Sequence, residues 1–409
     1  MTRPKHLPMS QWTIADDCLF VGGMPLSRLA QRAGRTPFYA YDRQLITDRV
    51  TSLRNRLPAV IRIHFAVKAN PMPALVCHMA RLVDGMDVAS SGELKVSLDS
   101  GMTPANISFA GPGKTASELS QAVAAGALVN IESSREIELL ARASAECGIP
   151  ARVGVRINPD FELKVGGMRM GGGAKQFGID VERVPDILRQ IARAGLLFEG
   201  FHVFAGSQIL NATALCDAQR QTVDLVLRLS DAVPAPIRTL NIGGGFGIPY
   251  FPGERPLEIA PISETLRELH ERIVSRLPEA SLVLELGRYL VGEAGIYVAR
   301  VIERKISRGQ VFLITDGGMH QHLAASGNLG QIVRKNFPVA VANRVSGGNR
   351  EIASVVGPLC TPLDVLADRA ELSEAHEGDL IVVFQSGAYG LSASPVAFLS
   401  HPRPLEMFV

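Results

Sequence analysis

The sequence has few cysteines, and they follow no motif. Five cysteines are scattered along 409 residues without a Cys-x-x-Cys spacing, at Cys18, Cys77, Cys147, Cys216 and Cys360. This odd, dispersed set predicts neither a disulfide framework nor a zinc site, and we expect no bound metal. Charge of one sign is not in excess either, because the formal net charge is +2. We therefore expect no nucleic acid and no anionic membrane as a partner.

Long apolar runs are also missing. No stretch approaches the roughly 20 apolar residues that span a bilayer. Residues 1–17 contain no apolar run of the signal-peptide kind, so we expect a cytoplasmic protein. Core-forming residues are plentiful, because 46% of the chain is hydrophobic and 20% is charged. This composition suggests roughly two to three domains.

Apolar runs of strand length alternate with longer amphipathic runs between residues 61 and 290. The strand-like runs are IRIHFAVKAN, GMDVAS, ISFAGPG, LVNIES, ARVGVRINP, FEGFHVFAG, TLNIGGGFG and SLVLELGRYL. Seven runs between them have helical spacing, and several end at a glycine suited to a C-cap, namely Gly126, Gly148 and Gly195. Eight strands with seven intervening helices predict a (β/α)8 TIM barrel in the α/β class. The alternative, an open doubly wound sheet, normally needs fewer strands.

Beyond residue 290 the pattern changes to short β-rich segments. They are IYVARVIERKI, VFLITDGG, FPVAVANRV, REIASVVGPLC, DLIVVFQSG and PVAFL, and they predict a second, all-β, barrel-like domain. We expect a barrel over residues 37–290 and a β domain over residues 291–409, with residues 1–36 packed on the latter. A Gly-rich stretch, Gly166–Gly173, separates the fifth and sixth predicted barrel strands and is typical of a mobile lid or a disordered loop.

One lysine lies at the end of a buried strand. Lys68, in HFAVKANP, follows mostly apolar residues and precedes a proline that ends the strand. A lysine desolvated in such a place can lose its proton and form a Schiff base with a carbonyl. Taken alone, Lys68 is more readily explained as a side chain that reaches to water. Its interpretation therefore depends on the other residues at the same end of the barrel.

In a TIM barrel the catalytic residues lie at the carboxyl ends of the strands. Besides Lys68, those ends carry Asp87, Arg156, His202, Phe204, Gly243, Gly244, Gly245, Glu285 and Arg288. The glycines form either a tight turn or a phosphate cradle of backbone N–H groups. Glu285 and Arg288 either pair locally or bind a ring nitrogen and a phosphate. His202 and Phe204 share a strand face, where they fill the barrel or stack on a planar cofactor.

These candidate roles form one consistent set. A lysine for a Schiff base, a phosphate cradle, a carboxylate for a ring nitrogen and an aromatic ring for stacking together describe a site for pyridoxal 5′-phosphate. In such a site the pyridine ring of the cofactor acts as an electron sink.

Over nearly its whole length the sequence resembles the fold-type III pyridoxal-phosphate-dependent decarboxylases, the diaminopimelate and ornithine decarboxylase group. The matching stretches, in order, are PFYAYD, FAVKAN, DVASSGEL, KQFGI, GSQ, GGGFG, ELGRYL, ITDGGM, GPLCTPLD and GDLIVVFQSGAYG. The resemblance implies an alanine-racemase-like barrel, a head-to-tail homodimer with shared active sites, and decarboxylation of an amino acid related to diaminopimelate.

The resemblance also implies roles for individual residues. Lys68 carries the cofactor, and Glu285 pairs with its ring nitrogen. The phosphate is held by Ser207, Gly243, Gly244, Gly245, Arg288 and Tyr389, while Asp87 and Arg156 support the lysine and ring region. Cys360 comes from the other subunit and returns a proton after CO2 leaves. Arg288, Thr361 and Tyr389 are implied contacts of the substrate.

The sequence departs from the family pattern where the far end of the substrate would bind. Phe204 stands in place of the usual ring-stacking histidine, and His202 matches an earlier position. Thr361 replaces the acidic residue that binds a distal amine, and Ala324 falls where the diaminopimelate enzymes have an arginine. Losing one charge-assisted pair typically costs about 1.5–3 kcal/mol. A bulky or carrier-linked amino acid is therefore expected as the substrate, as in a similar subfamily associated with exosortase systems.

Two other functions stay open at the level of the sequence. An amino-acid racemase of this fold needs a tyrosine as its second base, whereas this chain has Cys360 in the corresponding region. A non-catalytic, pyridoxal-phosphate-binding regulatory protein is the other alternative, and the presence of both Lys68 and Cys360 argues against it.

Overall fold

In the computed structural model the described residues are 4–162, 168–169, 171–345 and 347–409. They form two compact units. The barrel unit comprises Arg49–Ile248 and Pro256–Leu290, and the β unit comprises the chain up to Asp48, Pro249–Arg255 and Val291–Val409. Helix Arg43–Arg56 crosses this division. Within the described ranges, no helix is both long and apolar enough to cross a membrane.

The barrel unit contains a closed parallel sheet. Among the described residues its eight strands are Arg62–Ala66, Gly85–Val88, Ile107–Phe109, Leu128–Ile131, Arg152–Asn158, Leu197–Val203, Thr239–Gly244 and Ser281–Leu286. Each strand pairs in parallel with both neighbours, and the first pairs with the eighth through Phe65 and Leu286. The short strand Ile179–Asp180 adds to the fifth. The predicted TIM barrel is therefore confirmed, and the open-sheet alternative is wrong.

Helices alternate with these strands as their amphipathic spacing predicts. The helices of the barrel unit are Pro73–Met79, Ser91–Asp99, Ala116–Ala125, Ser134–Cys147, Val184–Arg193, Ala212–Leu229 and Ala260–Arg276. Thr115 and Glu118 form a reciprocal capping box at the start of the third of them. Gly126, Gly148 and Gly195 follow helix ends with φ of +77°, +65° and +67°, as C-cap glycines do. These caps define where the three helices end and the loops to the following strands begin.

The β unit is built mostly of strands, as predicted. They are Ile14–Ala15, Cys18–Val21, Met24–Pro25, Phe38–Tyr41, Gly295–Ser307, Gln310–Thr315, Val339–Val341, Arg350–Val356, Val365–Ser373, Leu380–Val383 and Leu405–Phe408. Strand Gly295–Ser307 is central, because it pairs with Gln310–Thr315, Leu380–Val383 and Phe38–Tyr41. Helix Leu26–Ala33 contributes to a core that includes Leu19, Leu26, Leu29, Phe38, Ile296 and Val382.

Three details of this unit differ from the sequence-based expectation. Segment PVAFL is not a strand but leads into the 3-10 turn Phe398–Ser400, because the amides of Phe398 and Ser400 bond locally to carbonyls three residues earlier. Strand Val365–Ser373 was not predicted, since exposed charged residues interrupt its apolar alternation. Strand Leu405–Phe408 was not predicted either, and it pairs with a segment near the other end of the chain.

The division between the units also differs from the predicted boundary at residue 37. Strand Phe38–Tyr41 belongs to the β unit because it is hydrogen-bonded on one side to Gly295–Ser307 and on the other to Leu405–Phe408. Of the Gly-rich stretch 166–173, residues 166, 167 and 170 lie outside the described ranges.

Candidate active site

Lys68 lies directly beyond the first barrel strand. The buried strand Arg62–Ala66 runs into a single 3-10 turn, Val67–Ala69, and Asn70 and Pro71 then turn the chain away. The side chain of Lys68 is 40% exposed, and its Nζ lies 2.9 Å from Oε1 of Glu285. The amine is therefore both reachable from outside the barrel and held by a carboxylate.

Glu285 is a buried carboxylate at the end of the eighth strand, with 3% of its side chain exposed. Its second oxygen, Oε2, lies 3.1 Å from Nε2 of His202 on the sixth strand. Burial alone would raise the pKa of Glu285, but the positive charge of Lys68 and the hydrogen bond from His202 lower it below its usual range. Glu285 therefore stays ionised at neutral pH, and one negative charge is fixed among three strands.

The two aromatic candidates, His202 and Phe204, occupy different positions. The His202 ring is buried and bonded to Glu285, whereas Phe204 follows the end of the sixth strand. The Nζ atom of Lys68 lies 5.1 Å from the centre of the Phe204 ring. Phe204 is therefore the aromatic ring beside the Lys68 amine, and His202 is a partner of the Glu285 carboxylate.

The three glycines at the end of the seventh strand are required by close backbone contacts. Gly243 and Gly245 have φ of +69° and +76°, a conformation that side chains disfavour. A Cβ on Gly243 would lie 2.8 Å from the carbonyl oxygen of Val203, and one on Gly245 would lie 2.6 Å from that of Gly206. A Cβ on Gly244 would overlap the backbone of Glu285. The turn therefore fits between the ends of the sixth and eighth strands only without side chains.

Ser207 and Arg288 lie on the segments that flank this glycine turn. Ser207 directly follows Gly206, whose carbonyl contacts Gly245, and the N–H of Ile209 donates to the Gly245 carbonyl. Arg288 begins the short helix Arg288–Val291 just after the eighth strand. Segments from the ends of three consecutive strands therefore lie side by side around the glycine turn.

Asp87 and Arg156 are both buried, but they have different partners. Oδ2 of Asp87, on the second strand, lies 3.4 Å from Nδ1 of His64. Arg156, on the fifth strand, pairs with Oε1 of Glu132 at 2.9 Å and lies over the ring of Phe177. Arg156 is therefore fixed by an acidic residue on the neighbouring strand end.

Glu132 is a residue that the sequence reasoning missed. It follows the fourth strand and accepts a hydrogen bond from the Arg156 guanidinium. It also accepts hydrogen bonds from the backbone N–H groups of Gly111 and Gly178. Burial would raise the pKa of Glu132, but the positive charges of Arg156 and Lys114 lower it. Its place near the carboxyl end of the predicted strand run LVNIES was the available signal.

Cys360 and Thr361 lie in a loop of the β unit that follows strand Arg350–Val356, and Cys360 is exposed in this chain. The Asp364 carboxylate ties the loop down by accepting two backbone N–H groups, one of them from Leu359 at 2.8 Å. Burial raises the pKa of Asp364. The loop is therefore ordered around an accessible thiol.

Tyr389 also belongs to the β unit and has a φ of +54°, which is uncommon for a residue other than glycine. The structure thus brings Lys68, His202, Phe204 and Glu285 into contact with one another in the barrel unit. Cys360, Thr361 and Tyr389 stand in the other unit.

Known proteins match the chain over most of its length. A family model described as "Pyridoxal-dependent decarboxylase, pyridoxal binding domain" matches residues 43–292. The L-glutamyl-[BtrI acyl-carrier protein] decarboxylase of Niallia circulans is 39% identical over 91% of this chain and 88% of the relative. The diaminopimelate decarboxylase of Aquifex aeolicus is 33% identical over 96% of this chain and 91% of the relative. A solved diaminopimelate decarboxylase from M. jannaschii has a TM-score of 0.88 at 26% identity, covering 98% of this chain and 92% of that chain.

Proposed function

We propose residue roles and a substrate class for this chain, which belongs to the pyridoxal-dependent decarboxylases and is therefore an enzyme that uses pyridoxal phosphate to decarboxylate an amino acid. Lys68 is the residue that binds the cofactor covalently, Glu285 binds its ring nitrogen and Phe204 stacks on its ring. The contact of Lys68 with both Glu285 and Phe204 carries this proposal.

The residues of the barrel unit fit this cofactor in three respects. An accessible amine lies beside a charged carboxylate, as a cofactor with both an aldehyde and a basic ring nitrogen requires. The glycine turn excludes side chains, which leaves its backbone amides as the group that would hold the phosphate together with Ser207 and Arg288. His202 holds the second oxygen of Glu285, so the carboxylate cannot rotate away.

In this proposal Glu285 supplies the negative charge that faces the ring nitrogen of the cofactor. When bound, pyridoxal phosphate supplies a ring that accepts the electron pair left by departing CO2. A carboxylate that stays charged at neutral pH keeps a proton on a ring nitrogen placed against it. Asp87 and Arg156 support the same end of the barrel from the second and fifth strands.

We assign the return of a proton to the substrate carbon to Cys360. Its exposure in this chain supports the head-to-tail homodimer, because the thiol is accessible to a second copy. Cys360→Ala is expected to lower kcat by about a hundredfold or more, in the range for loss of a general acid. Cofactor absorbance should not change, because Cys360 takes no part in holding the cofactor.

The matched control is Cys77→Ala, which removes an exposed thiol from a barrel helix. It should leave kcat unchanged. If the two subunits share active sites, mixing inactive Lys68→Ala chains with Cys360→Ala chains should restore part of the activity. Full activity of Cys360→Ala on its own would remove Cys360 from the mechanism.

The substrate is an amino acid whose far end is bulky or attached to a carrier. Thr361 and Ala324 leave the distal end of the substrate without the acidic and basic partners that the diaminopimelate and ornithine enzymes use. The relative from Niallia circulans is named for an acyl-carrier-linked glutamyl substrate, which supports the carrier-linked class here.

A substrate panel tests this proposal. Free lysine, ornithine, diaminopimelate and glutamate should each give a kcat/KM at least tenfold below that of a glutamyl thioester of phosphopantetheine, because one missing charge-assisted pair already costs about tenfold or more. Thr361→Glu should raise the kcat/KM for free diaminopimelate. Free diaminopimelate turned over by the unmodified chain as efficiently as the thioester would overturn the substrate assignment.

A further inference from the structure

His64 and Asp87 form a buried pair inside the barrel. Nδ1 of His64 lies 3.4 Å from Oδ2 of Asp87, and their side chains are 7% and 4% exposed. Among the described residues, neither ring nitrogen and neither carboxylate oxygen has a hydrogen-bond partner. A buried carboxylate without a partner is strongly disfavoured. Asp87 therefore depends on His64 for its stabilisation.

The fold makes room for this histidine at a particular residue. His64 stands opposite Gly85 in the register of the first two strands, and a Cβ at Gly85 would overlap the His64 ring. Gly85 does not have a positive φ, so backbone freedom is not the reason for a glycine there. A Cβ there would overlap both the carbonyl oxygen of Asn106 and the His64 ring, which crosses the neighbouring strand to reach Asp87, so the glycine leaves room for both.

The pair lies at the same level of the barrel as the amine site. In register, Asp87 stands opposite Ala66, two residues before Lys68, and His64 stands opposite Glu285 on the other side. The charged and titratable groups on the strands around His64 include Arg62 on its own strand, Asp87, Glu285 with its partner His202, and Lys68 at the strand end. A change in the orientation of the Asp87 carboxylate would change the electrostatic potential at these groups.

We propose that His64 is a positioning residue, which holds the Asp87 carboxylate in one orientation and through it sets how the Lys68 end of the barrel binds the cofactor. The inference rests on the proposed role of Lys68. His64 itself touches neither Lys68 nor the glycine turn through any contact that the structure gives, so its whole effect passes through Asp87.

A double-mutant cycle tests this inference by cofactor binding, without any turnover. The variants are His64→Leu, Asp87→Asn and the double variant, each titrated with pyridoxal phosphate and monitored by the visible absorption band of the bound cofactor. His64→Leu is expected to weaken binding about tenfold, the cost of losing one charge-assisted partner. In the Asp87→Asn background the same change should alter binding less than about twofold, because the charge to be positioned is gone.

Ser108→Ala is the matched control. It removes a buried hydroxyl that accepts a hydrogen bond from Asn130, on the strand next to Asp87, and leaves both members of the His64–Asp87 pair in place. It should leave the absorption band and the affinity unchanged. An equal loss for His64→Leu in both backgrounds, or an equal loss in Ser108→Ala, would show a purely structural role and overturn the inference.

Two further variants keep the test decisive. If His64→Leu does not fold, His64→Gln replaces it, since the amide keeps a donor for Asp87 and should retain affinity within about threefold of the parent; a loss as large as that of Asp87→Asn would contradict the inference. Lys68→Ala distinguishes a failure of the proposed function from a failure of the inference about His64. An absorption band and CO2 release that both persist in Lys68→Ala defeat the proposed function, whereas additive effects of His64→Leu and Asp87→Asn defeat only the role of His64.

Discussion

Lys68→Ala is expected to abolish both the visible absorption band of the bound cofactor and all release of CO2. The reason is that Lys68 is the amine that the structure places against both Glu285 and Phe204, 2.9 Å from the carboxylate and 5.1 Å from the ring centre. Without an amine there, the cofactor has no covalent attachment and the resting enzyme has no reactive nitrogen. Spectra after extensive dialysis, together with trapping of released CO2, measure the two losses.

The control for this variant is Lys95→Ala. Lys95 forms an exposed i,i+4 pair with Asp99 on a barrel helix, and surface pairs of this kind contribute about 0.3–0.5 kcal/mol. Lys95→Ala should therefore keep the spectrum and the rate of the parent enzyme. A Lys68→Ala variant that still binds the cofactor through dialysis and still releases CO2 would contradict the assignment.

Glu285→Gln is expected to lower kcat by at least a hundredfold while the protein still folds. An amide of nearly the same shape keeps hydrogen bonding to His202 but loses the fixed negative charge that faces Lys68. A neutral amide cannot keep a proton on a ring nitrogen, and preorganised charges of this kind contribute about a hundredfold or more to rates. The kcat values of the two proteins and the absorption maximum of the bound cofactor are the measurements.

The pH dependence of this charge follows from its pKa. Because the pKa of Glu285 is lowered in the folded protein, its contribution to stability is present above the unfolded value of about 4.3 and is lost as pH falls below that value. Parent enzyme and Glu285→Gln should therefore differ in stability near neutral pH and converge in acid. The control is Glu199→Gln, which removes a buried carboxylate of the sixth strand that pairs with Arg152 of the fifth strand, and it should not change kcat. Equal kcat for Glu285→Gln and the parent would contradict the role of Glu285.

Much of the barrel could be predicted from the sequence because its signals are local. Each strand is a short apolar run, each helix has its own amphipathic spacing, and glycines such as Gly126 and Gly148 mark helix ends. Lys68 and Glu285 could be placed at the same rim in advance because the carboxyl ends of parallel strands meet there, and the structure makes these residues, 217 positions apart, direct neighbours.

The features that the sequence did not predict depend on contacts between residues far apart in the chain, which leave no local sequence pattern. Glu132 reads as an ordinary loop carboxylate until the fold brings Arg156 and two glycine amides to it. His64 reads as part of an apolar strand, and only its register with Gly85 shows that the ring crosses to Asp87. Strand Leu405–Phe408 was not predicted because it pairs with residues 38–41, and the same pairing moves the boundary between the units.

The most direct test of the central claim, that the amine of Lys68 binds the cofactor, is chemical mapping. Borohydride reduction of the protein with bound pyridoxal phosphate makes the lysine–cofactor bond permanent, and peptide mass spectrometry then locates the pyridoxyl group. We predict one modification, on the lysine of the peptide that contains HFAVKANP. A modification on another lysine, or an unmodified Lys68 in protein that retains the cofactor, would contradict the account.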